Sequence, residues 1–209
     1  YYKKGMFELA QRIGGSNAHL IGDDVFIYET TSGKGKKVKG KIDFHLSLTL
    51  DVESEERERF VSFANSTPTF DGGFHQDKVK RIFINLVKER LERAAKREKF
   101  SLNDNDVLTG MTFILGLTMP NPRFESQTKR KLVRDVFLEK GIESFMAKYA
   151  EKWLRKNRDY TDLVLERAKS RHKLQMLKDA SKKGRKAKRQ RVEKLLDANE
   201  RKKRELCTL

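Results

Sequence analysis

Residues 42–50 carry the strictest pattern in this chain. Apolar and polar side chains alternate there without interruption, the apolar members being Ile42, Phe44, Leu46, Leu48 and Leu50. That period of two is typical of a β-strand with one face in a core and the other toward water. Such a strand is stable only when other elements cover its apolar face, so the pattern predicts a layered domain built around a sheet.

The flanking sequence supplies the other layers. Further strands are predicted at 19–30, 60–64 and 111–118, and helices at 6–13, 75–99 and 129–157, with a short helical turn from Leu102 and a solvated loop at 32–41. The 111–118 strand is mostly apolar, which is typical of a buried central strand. The order of elements favours an α+β or α/β sandwich with helices covering one face of a small sheet. Residues 160–206 favour helix but hold too few apolar side chains for a second core, so they are predicted to project as one or two arms.

Composition narrows the classes of partner and compartment. Lys and Arg outnumber Asp and Glu by 47 to 30, and the net charge of +17 favours a polyanion such as nucleic acid, phosphate or acidic lipid. Cys207 is the only cysteine, so no intrachain disulfide or cysteine-based zinc site can form, which fits a reducing, cytosolic setting. No run of about 18 apolar residues exists to cross a bilayer, so no membrane partner is expected.

The chain lacks the residue sets of a complete enzyme. Its histidines, at positions 19, 45, 75 and 172, have no second histidine or paired carboxylate at ligand spacing, so no metal site is predicted within it. Gly33 to Lys36 is not followed by the Lys-Ser/Thr of a Walker loop, and no Ser, His and Asp set occurs. Because the first residue is not methionine and the end is abrupt, the sequence is interpreted as a piece of a longer polypeptide.

The densest charge lies in residues 182–191. This run holds seven basic side chains and no acid: Lys182, Lys183, Arg185, Lys186, Lys188, Arg189 and Arg191. Contact with DNA phosphates would relieve their mutual repulsion and would make binding sensitive to salt. The alternative is a solvated helical face, which is the ordinary role of a charge run. Few aromatic residues accompany the run, so a stacking platform for single strands is not expected.

A second candidate site is the stretch 119–132, "MPNPRFESQTKRKL". Its prolines stiffen a surface loop, after which Gln127 and Lys129 offer donors at the start of the predicted 129–157 helix. The ordinary interpretation is a helix N-terminus capped by Ser126 or Thr128. A helix start also presents free N–H groups and a positive dipole end, so these donors would make an anion site there. A lysine ammonium is a compact charge suited to the terminal phosphate of a nucleotide.

Two stretches together resemble one known family. "SFANSTPTFDGGFH" (62–75) is similar to the F-x-N-x-x-x-T-x-[DE]-G-G-x-H motif of type IIA DNA topoisomerases, and 120–132 is similar to their P-x-P-x-F-x-x-Q-T-K-x-K-L loop. Both motifs belong to the transducer domain of the ATPase subunit, the gyrase B type. The resemblance covers roughly 1–158 in order and spacing, and points in particular to the large subunits of T-even phage topoisomerases. It implies an α+β fold of the ribosomal protein S5 domain 2 type, a small mixed sheet covered by helices, followed here by a long basic helical extension.

The resemblance also implies roles for individual residues. In the family, the Gln and Lys of the second motif reach the ATP pocket of a preceding GHKL domain and contact the γ-phosphate. By position these are Gln127 and Lys129, both ATP-binding, with Lys129 as the catalytic group. The loop would then report whether ATP or ADP is bound, and the transducer would pass that signal to the DNA gate. The general base and the Mg²⁺ site belong to the GHKL domain, so this segment is not expected to hydrolyse ATP alone.

The implied organisation is a transducer domain at 1–158 and a basic helical arm at 159–209 that leads toward a TOPRIM domain outside the chain. Expected partners are double-stranded DNA, the DNA breakage-reunion subunit and a second copy joined through the ATPase domain. The expected location is the cytoplasm, that of the host if the gene is phage-borne. The parent protein would be an ATP-hydrolysing isomerase.

One departure and two alternatives accompany this interpretation. Phe74 stands where the family has threonine in Gly-Gly-Thr-His, which leaves a special role for His75 without support. The preceding 71–73 stretch is interpreted as a turn that launches the 75–99 helix. The first alternative is a stand-alone basic nucleic-acid-binding module of S5-like fold, and the second is a helical adaptor.

Overall fold

The computed structural model describes residues 5–32 and 37–187. The strands are β1 (His19–Ser32), β2 (Lys37–Leu50), β3 (Arg59–Ala64), β4 (Thr67–Pro68) and β5 (Met111–Thr118). The helices are α1 (Met6–Gly14), α2 (Phe74–Arg97), α3 (Asp104–Leu108), α4 (Val136–Lys156) and α5 (Arg158–Ala187). The predicted α+β class is confirmed.

The five strands form one mixed sheet in the order β1-β2-β5-β3-β4. Strand β5 is central, as its apolar sequence predicts, and it pairs antiparallel with β2 and parallel with β3. A parallel pair needs a crossover connection, which α2 and α3 supply between β3 and β5. The solvated loop expected at 32–41 is shorter than predicted, because β1 and β2 pair as far as Ser32 and Lys37. Residues 33–36 of that loop lie outside the described part.

The main core lies between the sheet and the helices α2 and α4. The alternating apolar residues of β2 face this layer, where the rings of Phe44 and Phe145 stack with centroids 5.4 Å apart. Phe83 of α2 contacts Phe113 of β5 and Trp153 of α4 at centroid distances of 5.3 and 5.0 Å. Edge and stacked contacts of this kind add to the free energy gained by burying the rings.

Helix α1 corrects the expectation that helices cover one face only. It lies against the other face of the sheet, where the hydroxyl of Thr49 donates to the carbonyl oxygen of Ala10 at 3.4 Å. Gly116 permits the close approach, since a Cβ at that position would lie 2.8 Å from Met6 Sδ. The polar residues Ser47 and Thr49 are therefore buried, although alternation predicts them on a wet face.

Helix α4 begins at Val136, so the helix predicted from residue 129 is wrong at its start. Asp135 is the N-cap: its carboxylate accepts from the backbone N–H groups of Phe137 and Leu138 at 2.8 and 3.3 Å. The preceding residues are extended because Leu132 pairs with backbone distant in sequence. From its cap the helix runs without interruption through Gly141, whose missing side chain lets it approach the Phe44 ring.

Helix α5 starts within the compact unit and continues beyond it. The hydroxyl of Tyr160 donates to Val107 O at 2.6 Å, and the compact unit extends through Lys169. A second unit begins at Ser170, and its described part is the helical stretch up to Ala187. The expected boundary at residue 158 thus precedes two buried turns of α5, and the assignment of 1–158 and 159–209 as functional domains stays a prediction. Every helix in the described ranges is too short or too polar to traverse a bilayer.

Candidate functional site

Residues 123–133, which follow β5, form a small hairpin that we call the 123–133 hairpin. The N–H of Val133 donates to Arg123 O at 2.8 Å, and the N–H of Glu125 donates to Lys131 O at 3.0 Å. These bonds hold two short extended arms side by side. The predicted phosphate-contacting residues therefore lie at the tip of a hairpin.

The tip is a tight turn. The N–H of Lys129 donates to Ser126 O at 3.1 Å, and the hydroxyls of Ser126 and Thr128 bond to each other at 2.6 Å. Lys129 itself adopts a left-handed conformation with φ of 56°, which is unusual for a residue with a side chain. The prediction of a capped helix N-terminus at this point is wrong, because the cap is Asp135. Any anion bound here would meet side-chain donors rather than a helix dipole.

Charge pairing distinguishes Lys129 from the basic residues that follow it. Gln127 and Lys129 are both exposed. The next basic residues are engaged by carboxylates, in the pairs Arg130 with Asp71 (2.8 Å), Lys131 with Glu125 (3.2 Å) and Arg134 with Glu139 (2.7 Å). Within residues 5–32 and 37–187, no carboxylate pairs with Lys129. Its ammonium group therefore remains available to an external anion.

The hairpin is anchored by a segment that lies far from it in sequence. We call residues 69–75 the Gly-Gly loop. The N–H of Leu132 donates to Gly72 O at 3.3 Å, and the N–H of Phe74 donates to Leu132 O at 3.1 Å. The Gly-Gly loop also turns the chain into α2, with Gly73 as the N-cap residue, so its predicted role as a turn is confirmed. The two motifs of the family resemblance are thus in direct contact.

Gly73 is required at this contact for two independent reasons. Its φ of 129° belongs to a region that residues with a Cβ rarely adopt. A Cβ built there would lie 2.7 Å from Leu132 N and closer still to the carbonyl oxygen of Leu132. The backbone of the hairpin can approach α2 only because this side chain is missing.

An ion pair adds a second anchor. Arg130 donates to both carboxylate oxygens of Asp71, from Nε at 2.8 Å and from Nη2 at 3.0 Å, and its carbonyl accepts from the Asp71 N–H at 3.1 Å. The Arg130 hydrogen bond lowers the pKa of the Asp71 carboxyl below its ordinary value. The guanidinium also lies over the Phe70 ring, 5.7 Å from its centroid. Both groups are solvated, so the pair orients the hairpin more than it stabilises the fold.

His75 lies directly beneath the Gly-Gly loop and is fully buried. Its Nε2 lies 2.7 Å from Ser62 Oγ of β3. Desolvation lowers the pKa of His75 from 6.5 to about 4, so the ring is neutral at physiological pH. Phe74, the departure from the family motif, lies with its ring 5.8 Å from the guanidinium of Arg134 and packs against the main core.

The basic run lies at the end of the described part. Four members, at positions 182, 183, 185 and 186, lie on the last turns of α5, and Lys182 is exposed. Lys188, Arg189 and Arg191 lie outside the described residues. The DNA-binding role of the run stays a prediction.

Sequence reasoning identified Gln127 and Lys129 but missed the residues that hold them in place. Asp71, Gly73 and Arg130 anchor the hairpin through contacts that span nearly sixty positions, as between Asp71 and Arg130. One signal was present, since an acid in the first motif and a base in the second could form a pair. Nothing in local periodicity shows that two such segments are neighbours.

The sequence matches the DNA gyrase B family over residues 13–187. The chain belongs to the DNA gyrase B family. Among curated relatives, this gyrase B family chain is 28% identical to the DNA gyrase B protein of Chlamydia pneumoniae over 134 residues, which are 63% of the chain and 16% of that protein. It is 23% identical to the DNA gyrase B protein of Staphylococcus aureus over 173 residues, which are 80% of the chain and 24% of that protein.

Solved structures share the fold. The 43K ATPase domain of Thermus thermophilus gyrase B aligns with a TM-score of 0.59 and 17% identity, covering 85% of this chain and 46% of that one. The ATP-binding domain of Francisella tularensis topoisomerase IV aligns with a TM-score of 0.54 and 16% identity, covering 82% and 44%. This gyrase B family chain therefore spans less than half of each aligned structure and about a quarter or less of each of these two curated relatives.

Replacing Gly73 with alanine should destabilise the protein by roughly 2–5 kcal/mol, because backbone strain adds to steric overlap with Leu132. Urea unfolding measures the loss. Gly15→Ala is the matched control, since Gly15 also has a positive φ, of 100°, but open space around its Cβ position. The control should show only the cost of the backbone conformation. Equal losses at the two positions would contradict the close contact at Leu132.

Stability should also fall in acid because of His75. The unfolded ring takes up a proton near pH 6.5, whereas the folded ring resists protonation down to about pH 4. Its contribution is therefore complete above pH 6.5 and is lost as pH falls toward 4, by up to about 3 kcal/mol. Urea unfolding between pH 4 and 7 should show this slope in the wild type and after His19→Gln, an exposed position, and lose it after His75→Gln. A slope that persists in His75→Gln would assign it to other groups.

Proposed function

We propose that this chain is a nucleotide-sensing transducer segment of an ATP-dependent type II DNA topoisomerase, an isomerase. The 123–133 hairpin brings Lys129 and Gln127 to the γ-phosphate of ATP bound by a separate domain of the parent protein. The main support is the exposed Lys129 ammonium, which has no carboxylate partner among the described residues while the basic groups beside it do. Membership of the DNA gyrase B family supports the reaction class. The T-even phage origin is part of the same proposal.

The chemistry follows from the charge of phosphoryl transfer. Negative charge is spread over the γ-phosphate oxygens in the transition state, and a positioned ammonium stabilises it without reorganising. Lys129 supplies that charge through three rotatable donors, and the Gln127 amide supplies a neutral donor that aligns the group. The left-handed turn at Lys129 fixes the point from which the flexible side chain extends. When the phosphate departs, the attraction on the hairpin is lost.

Movement of the hairpin would reach the rest of the segment through its base. Lys78 of α2 donates to Glu139 and Glu143 of α4 at 2.9 and 2.7 Å, and Glu139 also accepts from Arg134 next to the hairpin. These bonds, together with the Leu132 pairing, join the hairpin to the helical layer. The hairpin, α2 and α4 therefore respond as one body to a pull on Lys129, and that movement is the signal passed toward the DNA gate.

The residues of this chain do not fit a magnesium site. In residues 5–32 and 37–187, no group of three or more His, Cys, Asp or Glu side chains is arranged to hold a metal. We assign the Mg²⁺ that accompanies ATP, and the general base, to segments of the parent protein outside this chain. The segment alone is therefore expected to be inactive. In the parent protein it acts with a second copy joined through the ATPase domain, with the breakage-reunion subunit and with duplex DNA.

Lys129→Ala in the full-length subunit should reduce ATP turnover by roughly 10² or more, the effect of removing one preorganised transition-state donor. Steady-state ATPase kinetics measure the change. Lys131→Ala is the matched control, because Lys131 lies two positions away but is paired with Glu125. The control should keep near-normal turnover. Near-normal turnover in Lys129→Ala itself would refute the assignment.

We also propose that the basic run 182–191 contacts the transported duplex. The exposed Lys182 and the absence of any acid in the run support this role. Each phosphate neutralised by a basic residue releases counterions, so the affinity of such an arm falls steeply with salt.

Charge reversal at Lys186, Lys188 and Arg189 should weaken DNA-stimulated turnover and reduce the slope of log affinity against log salt by up to about 3, roughly 0.9 for each lost contact. Filter binding over a salt series measures the slope. The control reverses Lys88, Lys96 and Lys169, which carry the same total charge but lie beside carboxylates. A loss common to both triple variants would mean that net charge alone attracts DNA. An unchanged slope in the first variant would support the solvated-face interpretation.

A further inference from the structure

His75 is the buried hub of a small polar cluster at the point where α2 begins. Its Nε2 lies 2.7 Å from Ser62 Oγ and 3.3 Å from Thr69 Oγ1. Gln76, the next residue of α2, donates from Nε2 to the same Ser62 hydroxyl at 2.7 Å. The first turn of α2 is therefore held on β3 through one serine side chain.

The hydrogen bonds of this cluster are consistent with one protonation state of His75. With the proton on Nε2, the imidazole and Gln76 both donate to Ser62 Oγ, which donates in turn to Thr69 Oγ1. Thr69 then donates to Ser62 O at 3.0 Å, so each hydroxyl has a donor role and an acceptor role. With the proton on Nδ1, the ring would bury an N–H that has no partner among the described residues. The Nε2–H tautomer is the one that the network favours.

The cluster holds both ends of the Gly-Gly loop. Thr69 is the first residue of this loop and His75 is the last, and Ser62 contacts both. Between these ends, the backbone of Gly72 and Phe74 carries the hydrogen bonds to Leu132 of the 123–133 hairpin. The span from the imidazole to the hairpin is thus a continuous series of hydrogen bonds through a short, tightly turned loop.

Packing alone does not account for a histidine at this position. An apolar side chain of similar volume would fill the space without leaving Nδ1 buried and without a partner in the described structure. What the imidazole adds is a directed bond to Ser62, and direction is what a loop needs if it is to hold a neighbouring hairpin in one orientation.

We propose that His75 is a positioning residue for Lys129: its hydrogen bond to Ser62 fixes the Gly-Gly loop in the conformation that aims the 123–133 hairpin at the terminal phosphate of the nucleotide. This role rests on the proposed function of Lys129. Because the hairpin contacts only the phosphate that distinguishes ATP from ADP, loss of positioning lowers the affinity for ATP and leaves the affinity for ADP unchanged.

The test measures dissociation constants of the full-length subunit for a non-hydrolysable ATP analogue and for ADP. His75→Leu keeps most of the side-chain volume and removes the donor. It should reduce the preference for the analogue over ADP by roughly 10-fold, as expected when a contacting group is misplaced rather than removed. His75→Gln carries an N–H at a similar distance from the backbone and should restore the preference to within about 2-fold.

Two further variants separate positioning from general destabilisation. Val79→Ala makes a cavity one turn further along α2 at a fully buried position outside the cluster, and should leave the preference unchanged. Ser62→Ala removes the acceptor while His75 stays in place, and should reduce the preference as His75→Leu does. It also provides the measurement if His75→Leu fails to fold. A full preference in Ser62→Ala, or an equal reduction in Val79→Ala, would overturn the proposal.

Lys129→Ala decides which of the two proposals fails. If His75 acts through Lys129, the double variant His75→Leu with Lys129→Ala should show the same preference as Lys129→Ala alone. A further reduction by the full factor of His75→Leu would mean that His75 acts by another route. If Lys129→Ala alone keeps the wild-type preference, the proposed function fails. If Lys129→Ala reduces the preference and His75→Leu does not, only the positioning role fails.

Discussion

The pairing of Leu132 with the backbone of Gly72 and Phe74 is the constraint on which the candidate site depends. It is the point where two segments from distant parts of the sequence become one rigid unit. A surface hairpin without such an anchor would be mobile, since two short strands alone are marginally stable in water. The pairing exists because Gly73 has no side chain, so a single backbone position permits the hairpin to keep its orientation.

Electrostatics then selects one charge at the tip of that unit. In a chain with a net charge of +17, a lysine is not by itself informative. The basic residues from 130 to 134 are held by carboxylates, and these pairs fix the hairpin while removing their donors from use. Lys129 projects from a strained turn without such a partner in the described structure. The same arrangement that rigidifies the base of the hairpin therefore leaves a free cation at its end.

The core explains how a local pull could become a movement of the whole segment. Aromatic rings from the sheet, α2 and α4 contact one another in a single cluster, and Trp153 also donates to the backbone of β1 at 2.9 Å. Close-packed interiors deform little, so a force on the hairpin displaces the sheet and its helices together. Tyr160 extends the cluster into the first turns of α5, which are therefore part of the same rigid body.

The sequence alone determined the elements whose signals are local. Alternation gave β2, a helical stripe gave α2, and two long motifs gave the family and the pair Gln127 and Lys129. The tertiary structure decided that residues 129–135 are extended although their apolar spacing suits a helix, because Leu132 finds a partner in the Gly-Gly loop. It also put α1 on the second face of the sheet and buried His75 beneath the site. Periodicity reports only which face of an element is apolar, whereas contacts between distant segments depend on how the chain folds back on itself.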